Sequence, residues 1–400
     1  MLLLILNAGS SSLRFQLMES NGWKIRFKGH VDGIGLASCE LHGNGVTQRG
    51  KAKNHAEALD LALTVLQKTK FLTTLKQIKA IGHRVVHGGE KYNIPVQITP
   101  KIQRDLKKIS VLAPLHNPAN ISGIEACLKY IPKTPNIAVF DTGFHATMPE
   151  KAFLYGLPYA YYKKNHIRRY GFHGTSHAYV SEQSIDWLKK NKRPHEKIIS
   201  CHIGNGVSVT GIHKGKSIDT SMGFTPLEGV MMGTRTGDLD PAIIFYLTKT
   251  LKLSLSQIEK LVLHESGLKG LSGVSSDMRP LRAIMANPSD KKYPSVKRAF
   301  DVYVYRLIKS ISSYVAPLGG LDALVFTAGI GENAWYLRQE ICKAFEYLGM
   351  QVDNSKNKSA IEGGWGPIHS DKSKVSVLVI PTNEELRIAQ EIEKITRQRI

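Results

Sequence analysis

Acidic residues are scarce in this chain: 33 Asp and Glu stand against 54 Lys and Arg, a formal net charge of +21 over 400 residues. A surplus of that size raises the question of nucleic-acid binding, where a basic face gathers phosphate contacts. The basic residues are spread, however, and their densest groups, Lys163-Lys164, Lys189–Arg193 and Lys291-Lys292, fall where helix ends or loops are expected. No nucleic-acid motif accompanies them, so the charge reads as a basic surface that steers anionic substrates inward. Cysteine is scarce too. Cys39, Cys127, Cys201 and Cys342 are scattered without a C-x-x-C pair, which excludes a disulfide frame or zinc ribbon and fits reduced thiols in the cytoplasm. Long apolar runs are missing, since no segment reaches the roughly 18 residues of a membrane span. Met1–Leu6 has neither a basic flank nor a cleavage site and reads as a strand rather than a signal peptide. Low-complexity sequence is absent.

What is present is a small-residue loop used three times. Asn7-Ala8-Gly9-Ser10-Ser11-Ser12 follows the apolar run Leu2–Leu6, and Leu13, Phe15 and Leu17 alternate after it. The pattern predicts a β-hairpin whose turn offers backbone N–H groups and hydroxyls with almost no side-chain bulk, a setting open to phosphate. The second copy is Cys201-His202-Ile203-Gly204-Asn205-Gly206-Val207-Ser208-Val209, behind Ile198 and Ile199, with Lys214-Gly215-Lys216 as its next turn, as Asn21-Gly22 follows the first. The third, Leu324-Val325-Phe326-Thr327-Ala328-Gly329-Ile330-Gly331-Glu332-Asn333, leads into a helical pattern at Leu337, Ile341, Ala344 and Phe345. A helix start behind glycine suits an anion or nucleotide. The first two loops lie about half a chain apart, as in a duplicated strand–loop–strand unit. Two such halves could grip one polyphosphate from both sides.

The length calls for two or more domains, and an apolar share of 42% is ordinary for a globular chain. Strands and helices alternate, which predicts an α/β protein. Helices are expected over 54–67, 253–263 (with Ser254 as N-cap), 299–318 (its end disturbed by Pro317) and 384–395. Strands are expected over 78–81, 136–140 and 374–380, and a domain change around Pro149–Pro158.

Three polar clusters sit among glycines. They are Gly82-His83-Arg84-Val85-Val86-His87-Gly88-Gly89, Arg169-Tyr170-Gly171-Phe172-His173-Gly174-Thr175-Ser176-His177 and Gly233-Thr234-Arg235-Thr236-Gly237-Asp238. An arginine in a glycine-rich loop either forms an ion pair or presents its fork to a carboxylate or phosphate. Asp141 ends a strand, from where a carboxylate can reach a cleft. His83/His87 and His173/His177 have the i, i+4 spacing of a zinc pair, but their neighbours read as strand or loop and the metal reading is set aside. Gly211–Ser217 is one residue short of a Walker A loop and is set aside as well.

Taken together, Asn7–Ser12, His83–Gly89, Phe140–Pro149, Arg169–His177, His202–Gly206, Asp219–Pro241, Gly329–Asn333 and Pro381-Thr382-Asn383-Glu384-Glu385 resemble the motif set of the acetate kinase family, nearly end to end. The family belongs to the actin-like superfamily of sugar kinases and heat-shock chaperone ATPases. The resemblance implies duplicated ribonuclease H-like α/β domains facing each other across a nucleotide cleft. The N-terminal domain would span 1–148, with a last helix at 385–400 returning to it, and the C-terminal domain 149–384 would carry most of the nucleotide site. It further implies a cytoplasmic homodimer, without membrane or nucleic-acid partners, that uses ATP/ADP and Mg²⁺ (with Mn²⁺ as a substitute) on acetate and acetyl phosphate. Asn7 and Glu384 would hold the metal, directly or through water. His202, Ile203, Gly204, Asn205 and Gly206 would line the phosphates; Asp277, Met278 and Arg279 with Gly329, Ile330, Gly331, Glu332 and Asn333 would hold the nucleoside. Arg84 and Arg235 would bind the carboxylate and the transferring phosphoryl group, and His173 would donate to its oxygens. Asp141 is the family's proposed proton-transfer residue. Val86, Leu115, Phe172 and Pro226 would enclose the methyl group, with His116 in support.

Acetate, with a pKa of about 5, is already ionised at neutral pH, so a general base is hardly needed for acyl-phosphate synthesis. The difficulty is bringing two anions together, which makes Asp141 a candidate for orienting Arg84 or Arg235. One departure concerns Arg14, where the family commonly has lysine; its fork could turn a point contact with phosphate into a two-pronged one. Propionate kinase, which shares nearly all these motifs, and a non-catalytic actin-like nucleotide-binding protein are the alternatives.

Overall fold

The computed structural model describes residues 1–114 and 116–397. The chain divides into two compact units, Met1–Ala146 with Asn383–Ile400, and Thr147–Thr382.

The first unit is built on a sheet whose strands are β1 (Leu2–Ala8), β2 (Ser12–Glu19), β3 (Lys24–Asp32), β4 (Cys39–Gly43), β5 (Val46–Gly50), β6 (Ile78–Val85), β7 (Val96–Gln97) and β8 (Asn136–Phe140). Their order is β5-β4-β3-β2-β1-β6-β8-β7. β1 pairs antiparallel with β2 and parallel with β6, and β6 pairs parallel with β8. Leu2–Leu6 is continuously apolar because β1 is covered on both faces. Leu4 and Leu6 join Leu13, Phe15 and Leu17 in a core under the helix His55–Lys68. Leu3 and Ile5 face the other way, onto Ile388, Ala389 and Ile392 of the helix Glu384–Arg397. That helix lies so close that a β-carbon on Gly82 would fall 2.3 Å from Ile392 Cδ1, which only glycine avoids. Residues 398–400 of the helix expected over 385–400 lie outside the described residues.

The second unit repeats the plan. Its strands are β9 (Lys197–Ile203), β10 (Val207–His213), β11 (Lys216–Thr220), β12 (Ala323–Thr327), β13 (Gly366–Pro367) and β14 (Ser376–Val379), in the order β11-β10-β9-β12-β14-β13. In both sheets an antiparallel meander is followed by two parallel strands and a two-residue antiparallel edge. The α/β plan is therefore duplicated over six strands of each sheet, with β4 and β5 extending the first. The equivalent hairpin turns also match: Gly22 and Trp23 between β2 and β3, and Lys214 and Gly215 between β10 and β11, all have positive φ, as the right-handed twist of a hairpin demands.

Several boundaries differ from expectation. β6 runs on to Val85 instead of stopping at Ile81, because the polar His83 and Arg84 find partners inside the sheet. The segment 253–263 is an α-helix over Leu255–Lys260, with Ser254 and Gln257 in a capping box, and continues as a π-helix over Leu261–Glu265. The helix expected over 299–318 begins earlier, at Tyr293, and runs through Pro317 to Leu318, where Gly319 caps it. His177, whose surroundings read as loop or strand, lies in the helix Gly174–Lys190. The four cysteines are free and buried, and among the described residues no helix is long and apolar enough to cross a membrane.

Candidate active site

In the first unit the parallel strands deliver polar residues to one end of the sheet. Arg84, near the end of β6, is gripped by Asp141, directly behind β8: Nε donates to Oδ1 at 3.1 Å and Nη2 to Oδ2 at 2.6 Å. Asp141 is almost wholly buried, and its backbone N–H donates to the Val85 carbonyl at 3.0 Å. Arg84 also donates through Nη1 to Asn7 Oδ1 at 3.4 Å and lies 3.6 Å from Glu384 Oε2. Burial works against the Arg84 charge, but Asp141 and Glu384 outweigh it and hold the guanidinium above its ordinary range. The Glu384 carboxyl is pushed up, first by burial and then by Asp141 and Glu385, with Arg84 opposing. The cluster thus has more carboxylate than cation.

Two residues with no assigned role hold this cluster in shape. Asn120, on the helix Asn117–Tyr130, accepts from Val86 N at 3.0 Å and donates to the Ala8 carbonyl at 2.7 Å. It ties the ends of β6 and β1 together. Asn117 accepts from His87 N at 3.1 Å and donates back to the His87 carbonyl at 3.0 Å. The first loop is closed by Gly9 N donating to Ser12 O at 2.9 Å and braced by His55 Nε2 on Gly9 O at 2.7 Å. Ser10 and Ser11 stand exposed, as does Arg14, which faces Asn7 across the hairpin. Val86 is buried; Leu115 lies outside the described residues. His116 precedes the Asn117–Tyr130 helix.

In the second unit, His173 takes a left-handed backbone (φ 56°) immediately before the helix Gly174–Lys190. Its ring stacks on that of His202 at 4.0 Å, and its Nδ1 lies 2.9 Å from Ser208 Oγ. Gly206 supplies the space in front: a β-carbon there would lie 3.3 Å from His173 Nε2 and 3.7 Å from Arg235 Nη1. Gly206, His173 and Arg235 therefore border one volume, which a side chain would fill. Arg235 Nη1 donates to the Pro226 carbonyl at 3.0 Å. Burial lowers its pKa, and among the described residues it meets no carboxylate. Phe172 is buried beside His173.

The nucleoside candidates lie around the same loop. Gly233 N donates to Asn205 O at 3.0 Å, and a β-carbon on Gly233 would fall 2.1 Å from Asn205 Oδ1 and 3.2 Å from Ser276 Cβ. That carries the phosphate loop across to Asp277, which caps the helix Met278–Met285 by accepting from Arg279 N at 2.8 Å. The Arg279 guanidinium folds back onto Asp277 while Met278 is buried. Gly331 approaches within 3.5 Å of Ile203 Cβ if given a β-carbon, so the third loop backs the second. The third loop is held by Arg338, a fully buried arginine that donates to the carbonyls of Gly331 (2.9 Å), Glu332 (2.6 Å), Asn357 (2.7 Å) and Ala360 (2.8 Å). Burial lowers its pKa to about 10. Glu332 turns inward and accepts from Thr382 N at 3.1 Å, and its carboxyl is raised by burial. Asn333 donates to Gly329 O at 2.9 Å and accepts from Glu362 N at 2.8 Å, which fixes the loop's end.

Among the described residues no group of three or more His, Cys, Asp or Glu gathers to hold a metal alone. The oxygen donors of Asn7 and Glu384, set beside an excess of negative charge, nevertheless suit a hard divalent cation. Mg²⁺ commonly takes one or two carboxylates and completes its shell with water and substrate phosphates.

A fold duplicated in this way, with an arginine–carboxylate cluster in one unit and, in the other, glycine loops, a histidine and an arginine that meets no carboxylate among the described residues, defines a two-unit α/β phosphotransferase. The chain belongs to the acetokinase family, whose model matches residues 2–390. It is 46% identical over 406 residues to the acetate kinase of Thermotoga maritima, covering 100% of this chain and 99% of that one. Among solved structures it resembles an acetate kinase from Porphyromonas gingivalis (TM-score 0.92, 39% identity, 99% of both chains). It also resembles a propionate kinase from Francisella tularensis (TM-score 0.89, 39% identity, 98% of both chains).

Proposed function

We propose that the chain transfers the ATP γ-phosphoryl group reversibly to acetate, giving acetyl phosphate and ADP by direct in-line transfer. The observation that carries the chemistry is Arg235, a half-buried guanidinium with no carboxylate among the described residues, bordering the same volume as Gly206 and His173. A cation left without its counter-charge in such a place is suited to an anion that arrives with the substrate. Arg235 would hold the transferring phosphoryl group and His173 would donate to its equatorial oxygens. Arg84 would take the acyl carboxylate, and Val86, Leu115, Phe172 and Pro226 the methyl group. Asn7 and Glu384 would hold Mg²⁺, which when bound offsets charge on the phosphate oxygens. The residues around Gly204–Gly206, Asp277–Arg279 and Gly329–Asn333 would bind the nucleotide. Catalysis would then be alignment and electrostatics rather than covalent chemistry.

For Asp141 the two-pronged grip on Arg84 supports an orienting role over proton transfer. Asp141→Asn keeps one acceptor for the guanidinium and is expected to retain most of kcat, whereas Asp141→Ala loses about 10²-fold or more through misplacement of Arg84. Equal, complete loss in both variants in a steady-state assay would return Asp141 to proton transfer.

A homodimer is also proposed. The helix Ala242–Lys249 buries none of its residues, and Phe245 (61% exposed) and Tyr246 (56%) lie on it, with Leu255 (71%) close behind in the chain. Exposure of several large apolar side chains in one segment supports an association face there. The four buried thiols fit a cytoplasmic setting.

The test is ADP formation coupled to an indicator, with acetate, propionate and butyrate as acceptors. Acetate is expected to give the highest kcat/KM. One methylene more costs only about 1–3 kcal/mol in an apolar pocket, so propionate should be turned over more slowly rather than refused. A preference for propionate would move the assignment to propionate kinase, and no acyl-dependent turnover would sink the kinase reading.

A further inference from the structure

His173 and His177, set aside as a metal pair, are joined by serines instead. His177, Ser200 and Ser208 are fully buried. Ser200 Oγ lies 2.6 Å from His177 Nδ1, His177 Nε2 lies 2.7 Å from Ser208 Oγ, and Ser208 Oγ lies 2.9 Å from His173 Nδ1. Each hydroxyl has one proton to give, and each neutral imidazole carries one N–H. The line can therefore run in two directions.

In the first direction Ser200 donates to His177 Nδ1, His177 Nε2–H donates to Ser208, and Ser208 donates to His173 Nδ1. Every proton along the line has an acceptor, and His173 carries its own on Nε2. In the second direction His173 Nδ1–H donates to Ser208, Ser208 to His177 Nε2, and His177 Nδ1–H to Ser200. The Ser200 hydroxyl must then find a different acceptor, and among the described residues it makes no other hydrogen bond. A buried hydroxyl proton without an acceptor is what folded proteins avoid. The dead end at Ser200 thus gives the line its direction.

We propose that Ser200, His177 and Ser208 are positioning residues that lock His173 in its Nε2–H tautomer, so that it offers a donor to the transferring phosphoryl oxygens. The inference rests on the phosphotransfer reading for what the donor meets. Nε2 is the nitrogen on the side of Gly206 and Arg235. In the opposite tautomer that nitrogen would present a lone pair to an anion. Stacking on His202, itself tied through Nδ1 to Ser176 Oγ at 2.8 Å, keeps the ring from rotating out of the line.

The experiment is ¹⁵N NMR of the full-length protein labelled in histidine, with the His173 signals assigned by their loss in His173→Gln. The wild type is expected to show His173 protonated at Nε2. Ser208→Ala, which cuts the link to His173 Nδ1, is expected to give a mixture of tautomers and to lower kcat on the order of tenfold, at unchanged KM for acetate and ATP. Ser208→Thr, which keeps the hydroxyl, is expected to restore both readouts. An Nδ1–H tautomer in the wild type, or an unchanged His173 spectrum in Ser208→Ala, would overturn the proposal. A wild type with the Nε2–H tautomer but no acyl-dependent turnover would overturn the function and leave the tautomer lock standing.

Discussion

Arg235→Ala is expected to lower kcat by about 10³-fold or more while leaving Tm unchanged or slightly raised. The activity loss follows from the demands of phosphoryl transfer, in which charge spreads over three equatorial oxygens and a positioned guanidinium supplies much of the stabilisation. The stability forecast follows from the surroundings. Arg235 is half-buried, burial disfavours its charge, and among the described residues it meets no carboxylate. Among the described residues its guanidinium donates to the Pro226 carbonyl at 3.0 Å and to Met232 Sδ at 3.7 Å. Deleting it removes these two hydrogen bonds and an uncompensated cation together, effects of opposite sign. Steady-state kinetics and thermal melts on the same preparations check both halves. A large fall in Tm, or a kcat within tenfold of wild type, would contradict the role assigned here.

Much of this was legible in the sequence, and what was missed shares one cause. The hairpin loops were legible because small residues between an apolar run and an alternating run leave few other conformations. The duplication followed from their spacing. The end of β6 is not legible, because His83 and Arg84 look like the close of a strand; they stay in the sheet because Asn136 Oδ1, 2.7 Å from His83 Nε2, and Asp141 satisfy them. Asn117, Asn120, Arg338 and the Ser200–His177–Ser208 line escaped for the same reason. Each is a polar residue whose meaning lies in buried partners outside its own element, at the extreme with Asn120 and Ala8, 112 residues apart. In Val207-Ser208-Val209 the serine has the period of a solvent-facing position, yet β10 is buried on both faces and Ser208 has no exposure. Periodicity reports which residues share a face, not whether that face meets water.

Arg84→Ala makes the opposite stability forecast from Arg235→Ala, and the contrast separates the two arginines. Arg84 is the cation shared by the nearly buried Asp141 and by Glu384, held at 2.6 and 3.6 Å. Removing one partner of a buried ion pair leaves charge that the interior cannot screen, at a cost of about 3–5 kcal/mol. For a unit of this size that corresponds to a fall in Tm of roughly 6–20 °C, alongside loss of acetate turnover. The sign of its pH dependence follows from Glu384, whose carboxyl burial already raises, with Asp141 and Glu385 adding to the effect and Arg84, ahead of Arg14, opposing it. A carboxyl raised in the folded state costs nothing while protonated and destabilises as pH climbs through the unfolded value. Without Arg84 that penalty grows. The Tm difference between variant and wild type should therefore be widest at neutral to alkaline pH and narrow as pH falls toward the carboxylate range. A gap that stays the same across this pH range would mean that Arg84 stabilises the unit by packing rather than by charge. In that case its fork would be free to serve a substrate carboxylate without first being committed to Asp141.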